Sequence, residues 1–81
     1  MESKTKPIFA KAIETTPVAL VVITDEGPVS IPWAQCSERL ARASTLERRQ
    51  AKLSPSGYGI SWPLIDEDLA VGALVRSVAV R

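Results

Sequence analysis

The segment from Gly57 to Leu69 constrains this chain more than any other. Two glycines flank Tyr58, Pro63 follows Trp62 directly, and Asp66, Glu67 and Asp68 stand together ahead of Leu69. Half of the chain's aromatic residues lie in it. Gly59 to Trp62 reads as a short strand returning to a sheet, with Ile60 and Trp62 projecting to the same face. Pro63 closes that strand because it has no N–H to donate to a ladder. Asp66 is placed to act as a helix N-cap, and Glu67 and Asp68 in a first turn would complement the positive end of a helix dipole. Leu69, Ala73 and Leu74 would then supply the buried side of that helix. Beyond Val75, Val78 and Val80 fit a continued helix, a strand or a loose end equally well.

The rest of the chain divides into a strand-forming front and a helix-forming middle. Ile8 to Ile13 alternates apolar with small or charged residues and reads as a first strand. Val18 to Ile23 is a β-branched run bounded by Thr16-Pro17 and by Asp25-Glu26-Gly27-Pro28, so it predicts a second strand followed by a hairpin-like reversal. Val29 to Trp33 predicts a third strand that ends at Pro32 or lies at a sheet edge. Ser37 to Ala43 places Leu40 and two alanines among charged residues, with Glu38 and Arg42 spaced as a favourable i,i+4 pair, and predicts a short helix. Ser44-Thr45-Leu46-Glu47 is a capping box, so a second helix is expected from Thr45, with Leu46 and Leu53 on its apolar side and Ser54 to Gly57 ending it.

Length and charge exclude several classes. A chain of 81 residues forms one domain at most and buries only roughly 60–65% of its unfolded surface, so a partner or a second copy would help it. Its 46% hydrophobic and 23% charged composition is that of a folding chain. A net charge of +1 lacks the basic excess that favours nonspecific nucleic-acid binding. The apolar run from Pro17 to Ile23 is far short of a membrane span, and the polar start from Met1 to Lys6 does not resemble a signal core. The expected setting is the cytoplasm, with no membrane contact.

The candidate chemistry is sparse. With no histidine in the chain, neither Cys36 nor a serine has an imidazole base, so no catalytic triad can form within one chain. Cys36, the one cysteine, reads as a buried structural thiol. The glycines around Tyr58 lack the spacing of a dinucleotide or phosphate loop and suit a tight turn instead. Asp66, Glu67 and Asp68 have no spaced set of further ligands, so no catalytic, cofactor or metal residue is assigned. A helix cap is one reading of them and an acidic contact for a basic partner is another. Arg39, Arg42, Arg48, Arg49 and Lys52 form the one basic concentration, tempered by Glu38 and Glu47. They make either a solvated helix surface or a nucleic-acid face. Trp33 and Trp62 read as core anchors, with an interface role open to one of them.

Ile31-Pro32, Arg39-Leu40 with Ala43-Ser44, and the whole segment from Gly57 to Leu69 together resemble the signature of a small bacterial family named only as domain of unknown function 2442. The resemblance runs from about Ile8 to Leu74. This chain departs from the pattern at Asp25-Glu26-Gly27-Pro28, where members often show Asp-Gly-Arg, and at Ser61, where histidine is frequent. The resemblance implies a non-enzymatic role. Similar proteins are often encoded beside a second very small protein and have been proposed as antitoxin-like halves of toxin–antitoxin pairs. Some carry an added helix-turn-helix domain, which this chain is expected to lack.

The combined expectation is a small α+β domain with an antiparallel sheet of three or four strands and two or three short helices on one face. A loose tail is expected over residues 1–7, the domain over 8–75 and an extension over 76–81. The expected function is a protein-interaction module with a small protein partner, Trp62, Asp66, Glu67 and Asp68 forming the contact. The alternatives are a nucleic-acid-associated regulator using the five basic residues and a structural subunit of a larger assembly. A homodimer formed through a sheet edge or the terminal helix fits the small core.

Overall fold

The computed structural model describes residues 7–79. Its class is α+β, as the sequence predicts, but the strands divide between two three-stranded antiparallel sheets. The first contains β1 (Ala12–Thr15), β2 (Ala19–Thr24) and β3 (Gly27–Pro32), in that order. Thr16 shapes the first reversal: its hydroxyl oxygen accepts the Ala19 N–H at 2.9 Å, and its backbone N–H donates to the Ala19 carbonyl at 2.9 Å. Thr24 does the same at the second, where its hydroxyl donates to the Gly27 carbonyl at 2.9 Å and accepts the Glu26 N–H at 3.1 Å. Those bonds satisfy a buried threonine and set the register in which Leu20 faces Ile31 and Val22 faces Val29. The third strand is an edge and ends at Pro32, as expected.

Three short helices follow: α1 (Trp33–Cys36), α2 (Glu38–Ala41) and α3 (Thr45–Arg49). Ser37 caps α2 by accepting the Leu40 N–H at 3.1 Å. The capping box opens α3, with the Glu47 N–H donating to the Ser44 hydroxyl at 3.1 Å and the Ser44 N–H to the Glu47 carboxylate at 2.9 Å. The helix stops at Arg49, before Leu53 can join its face. Leu46 is 62% exposed and Leu53 lies in a strand, so the expected Leu46–Leu53 apolar side does not form. Five residues make little more than one turn, too few to align positions seven apart.

The second sheet contains β4 (Lys52–Leu53), β5 (Gly59–Trp62) and β6 (Glu67–Ala70), with β5 in the centre. Thus β5 does not return to the first sheet, because β4 and β6 occupy both of its edges. A final helix, α4, runs over Val71–Ala79, with Leu74 buried and Ala73 exposed. It takes in residues 76–79 of the expected extension; Val80 and Arg81 lie outside the described residues, as do residues 1–6 of the expected tail.

The first strand begins later than the alternation predicts. Ile8 to Ala10 run beside the loop before β5, where the Ala10 N–H donates to the Gly57 carbonyl at 2.7 Å and Phe9 meets Tyr58 edge-on at 6.1 Å. Gly57 has φ +83°, and a Cβ there would lie 2.5 Å from the Ala10 carbonyl oxygen. The ladder of β1 begins only after Lys11.

The core lies between the two sheets and the helices. Leu20, Val22, Ile31, Leu40, Trp62 and Val71 are fully buried. Trp33 and Trp62 cross edge-to-face at 6.4 Å and 82°. Each indole finds a backbone acceptor, Trp33 Nε1 on the Thr16 carbonyl at 2.9 Å and Trp62 Nε1 on the Arg48 carbonyl at 3.1 Å. Two bulky aromatics with satisfied polar edges thereby join β5, α3 and the first sheet's reversal.

Candidate functional site

The joint after β5 is built as a rigid turn. Trp62 ends the strand, Pro63 opens one 3-10 turn over Pro63–Ile65, and Asp66 follows at φ 55°, ψ 48°. Among the described residues Asp66 is the one non-glycine with positive φ, a conformation that aspartate adopts more readily than most residues. Arg39 reaches across from α2, and its Nη1 donates to the carbonyls of Ile65 at 3.2 Å and Asp66 at 2.7 Å. Ile65 packs on the core. Leu64 is left 59% exposed, and Asp66, two positions on, is exposed as well.

The expected helix cap does not form here. Glu67–Ala70 is an edge strand, and the helix begins only at Val71. Local capping preference yields to cross-strand pairing: Leu69 sits beside buried Ile60, and the Val71 N–H donates to the Tyr58 carbonyl at 2.9 Å. Strand alternation then parts the acidic residues. Glu67 pairs with Trp62 on the core side, half-buried, whereas Asp68 pairs with Ser61 on the outer side and is exposed. Asp66 faces solvent from the turn, so the three carboxylates do not converge. Trp62 is 0% exposed and belongs to the core, not to the contact expected of it. Of the four expected contact residues, the turn presents Asp66, with Glu67 at its edge and Asp68 on the sheet face.

The basic residues are separated as well. Arg48 folds onto α2, donating from Nε to the Leu40 carbonyl and from Nη2 to the Ala41 carbonyl, each at 3.0 Å. Its guanidinium lies 5.4 Å from the Trp33 ring centroid, a cation–π distance. Arg42 pairs with Glu38 at 2.9 Å, the i,i+4 contact that the sequence predicts. Arg39 clamps the acidic turn, while Arg49 and Lys52 are exposed on α3 and β4. Three of the five cations therefore serve carbonyls or a carboxylate within the fold.

Cys36 is buried, with its thiol 3.8 Å from the Ile31 carbonyl. Burial pushes its pKa up to about 11 against the opposing pull of the Arg48 charge. It is a protonated packing group, as the sequence predicts, and a poor nucleophile. The exposed Leu64 escaped sequence reasoning; its signal was an apolar residue one step past the Trp62-Pro63 stop, inside a turn.

No helix among the described residues is long and apolar enough to cross a membrane. Residues 21–79 match the family model described as protein of unknown function, DUF2442. A crystal structure of a protein of unknown function from Rhodospirillum rubrum shares the fold, with a TM-score of 0.74 at 21% identity over 85% of this chain and 86% of that one. No curated protein matches the chain.

Proposed function

The chain belongs to the DUF2442 family of proteins of unknown function, and we propose that it is a non-enzymatic interaction module of the cytoplasm. Its partner is a small protein that it binds and masks, in the manner of the antitoxin half of a toxin–antitoxin pair. The observation that supports this reading is the turn after β5, whose Ile65 and Asp66 carbonyls are held by Arg39 and which carries an exposed leucine and an exposed aspartate two positions apart. A pre-ordered apolar anchor with an adjoining charge binds at little entropic cost, because its backbone is already held. The complementary surface is an apolar socket next to a lysine or arginine. The lack of histidine and the protonated, buried Cys36 favour binding over catalysis.

The test is capture by the tagged full chain in its native host at low and high salt, followed by titration of the captured protein against Leu64→Ser and Asp66→Asn. One small protein in equal amount is expected, with each variant weakening it by roughly tenfold, ~1.4 kcal/mol. Unchanged affinity in both variants would remove the turn as the contact. Salt-released nucleic acid would move the assignment to the basic residues, and several stoichiometric proteins would indicate a subunit of an assembly.

A further inference from the structure

The second sheet covers the core with one face only. Ile60, Trp62 and Leu69 point inward, and the opposite face carries the small residues Gly59, Ser61 and Ala70 together with Lys52 and Asp68. The strand register places Lys52, Ser61 and Asp68 in one row across β4, β5 and β6. The next row is Ser54, Gly59 and Ala70, with the Ser54 N–H donating to the Gly59 carbonyl at 2.8 Å and Ser54 Oγ accepting the Gly59 N–H at 3.1 Å. The result is a shallow depression of about 520 Å³, floored by backbone and small side chains, with a cation on one rim and an anion on the other. Two strand spacings separate Lys52 from Asp68 by about 10 Å, too far for an ion pair within the chain. Among the described residues the side-chain ion pair is Arg42 with Glu38.

This pattern is self-complementary. A two-fold axis running along β5 beneath Ser61 turns one sheet face onto another and exchanges β4 with β6. Lys52 of each copy then stands over Asp68 of the other, twice, with Ser61 meeting Ser61 at the centre and the small residues letting the sheets approach. A two-fold axis running across the strands would stack lysine on lysine and aspartate on aspartate. Charge thus selects one orientation, and that orientation closes, as an isologous contact must.

We propose that the outer face of β4, β5 and β6 is the interface of a symmetric homodimer, locked by reciprocal Lys52–Asp68 pairs. This contact is separate from the Leu64–Asp66 turn, so either can fail without the other. Its partner is a second copy of this chain, docked face to face with aligned strands.

The test is sedimentation equilibrium of the full chain across a concentration series at low and high salt, with Lys52→Asp, Asp68→Lys and the double variant K52D/D68K. Both sites are exposed, and circular dichroism verifies that each of the three variants is folded. The wild type is expected to dimerise and to weaken with salt. Each single reversal creates two like-charge contacts and raises the dissociation constant by roughly tenfold or more. The double variant exchanges the signs, regenerates both pairs and returns the constant to within about threefold of wild type. A wild type that stays monomeric at all concentrations overturns the proposal. So does a dimer indifferent to the single reversals, which would lie on another face, and so does a double variant no better than the singles. Leu64→Ser in the same assay is expected to leave the dimer unchanged.

Discussion

Arg48 ties α3 to the end of α2 and to Trp33, and its replacement by methionine isolates what the guanidinium does. Methionine keeps an unbranched apolar stem against Trp33 and removes the charge and the donors. Two hydrogen bonds at 3.0 Å to the Leu40 and Ala41 carbonyls are lost. At about 1 kcal/mol each, allowing for the partial exposure of Arg48, they amount to about 2 kcal/mol. The guanidinium's position 5.4 Å from the Trp33 ring centroid adds about 0.5–1 kcal/mol. Arg48→Met should therefore cost about 2–3 kcal/mol, a large share of the roughly 4–12 kcal/mol expected for a chain of this size. The melting temperature should fall by about 10–20 °C. Arg48→Lys keeps a charge near the ring but cannot span both carbonyls, so about half the loss should remain. Urea unfolding followed by tryptophan fluorescence reads both variants, since the Trp62 indole bonds to the Arg48 backbone carbonyl, which neither substitution removes. A lysine variant as stable as wild type would refute the bridging argument, and a methionine variant within about 0.5 kcal/mol would refute the whole account.

Two further outcomes follow from buried groups. The Cys36 pKa is raised from 9.0 to about 11 by burial, so the folded state holds its proton more tightly than the unfolded chain. That contribution is complete below pH 9 and is lost as pH rises toward 11. Denaturant titrations across this range should show Cys36→Ala losing less stability with rising pH than wild type, and the native thiol should resist disulfide reagents at neutral pH. Gly57→Ala forces a Cβ to 2.5 Å from the Ala10 carbonyl at φ +83°. It should release the Pro7–Ala10 segment at a cost of about 1–3 kcal/mol, seen as faster hydrogen exchange at the Ala10 amide. Unchanged exchange there would show that this segment does not depend on Gly57.

The elements that sequence reasoning located are those whose partners lie a few residues away. The capping box at Ser44 and Glu47, the Glu38–Arg42 pair, the reversal between β2 and β3, and the stop at Trp62-Pro63 all complete their bonding within one turn or one hairpin. Alternation alone predicts that Ile60 and Trp62 share a face, and both are buried on it. The errors share the opposite property. Asp66, Glu67 and Asp68 satisfy every local rule for starting a helix, yet pairing with β5 draws Glu67–Ala70 into a strand and delays the helix to Val71.

The candidate site was legible in composition and illegible in geometry. Sequence alone indicates an α+β class, a single buried thiol and a charged joint near Gly57–Leu69, because burial preference, capping and turn chemistry act over short separations; the family is legible from the resemblance of its motif residues. Only the tertiary structure decided that Trp62, already read as a core anchor, leaves no surface for a contact, that the acidic residues face three ways, and that Arg39 and Arg48 bind backbone carbonyls. Arg39 bonds to residues 26 and 27 positions away. Such contacts depend on how two sheets and four helices come together, and no local pattern encodes the direction in which a long side chain will find its acceptor.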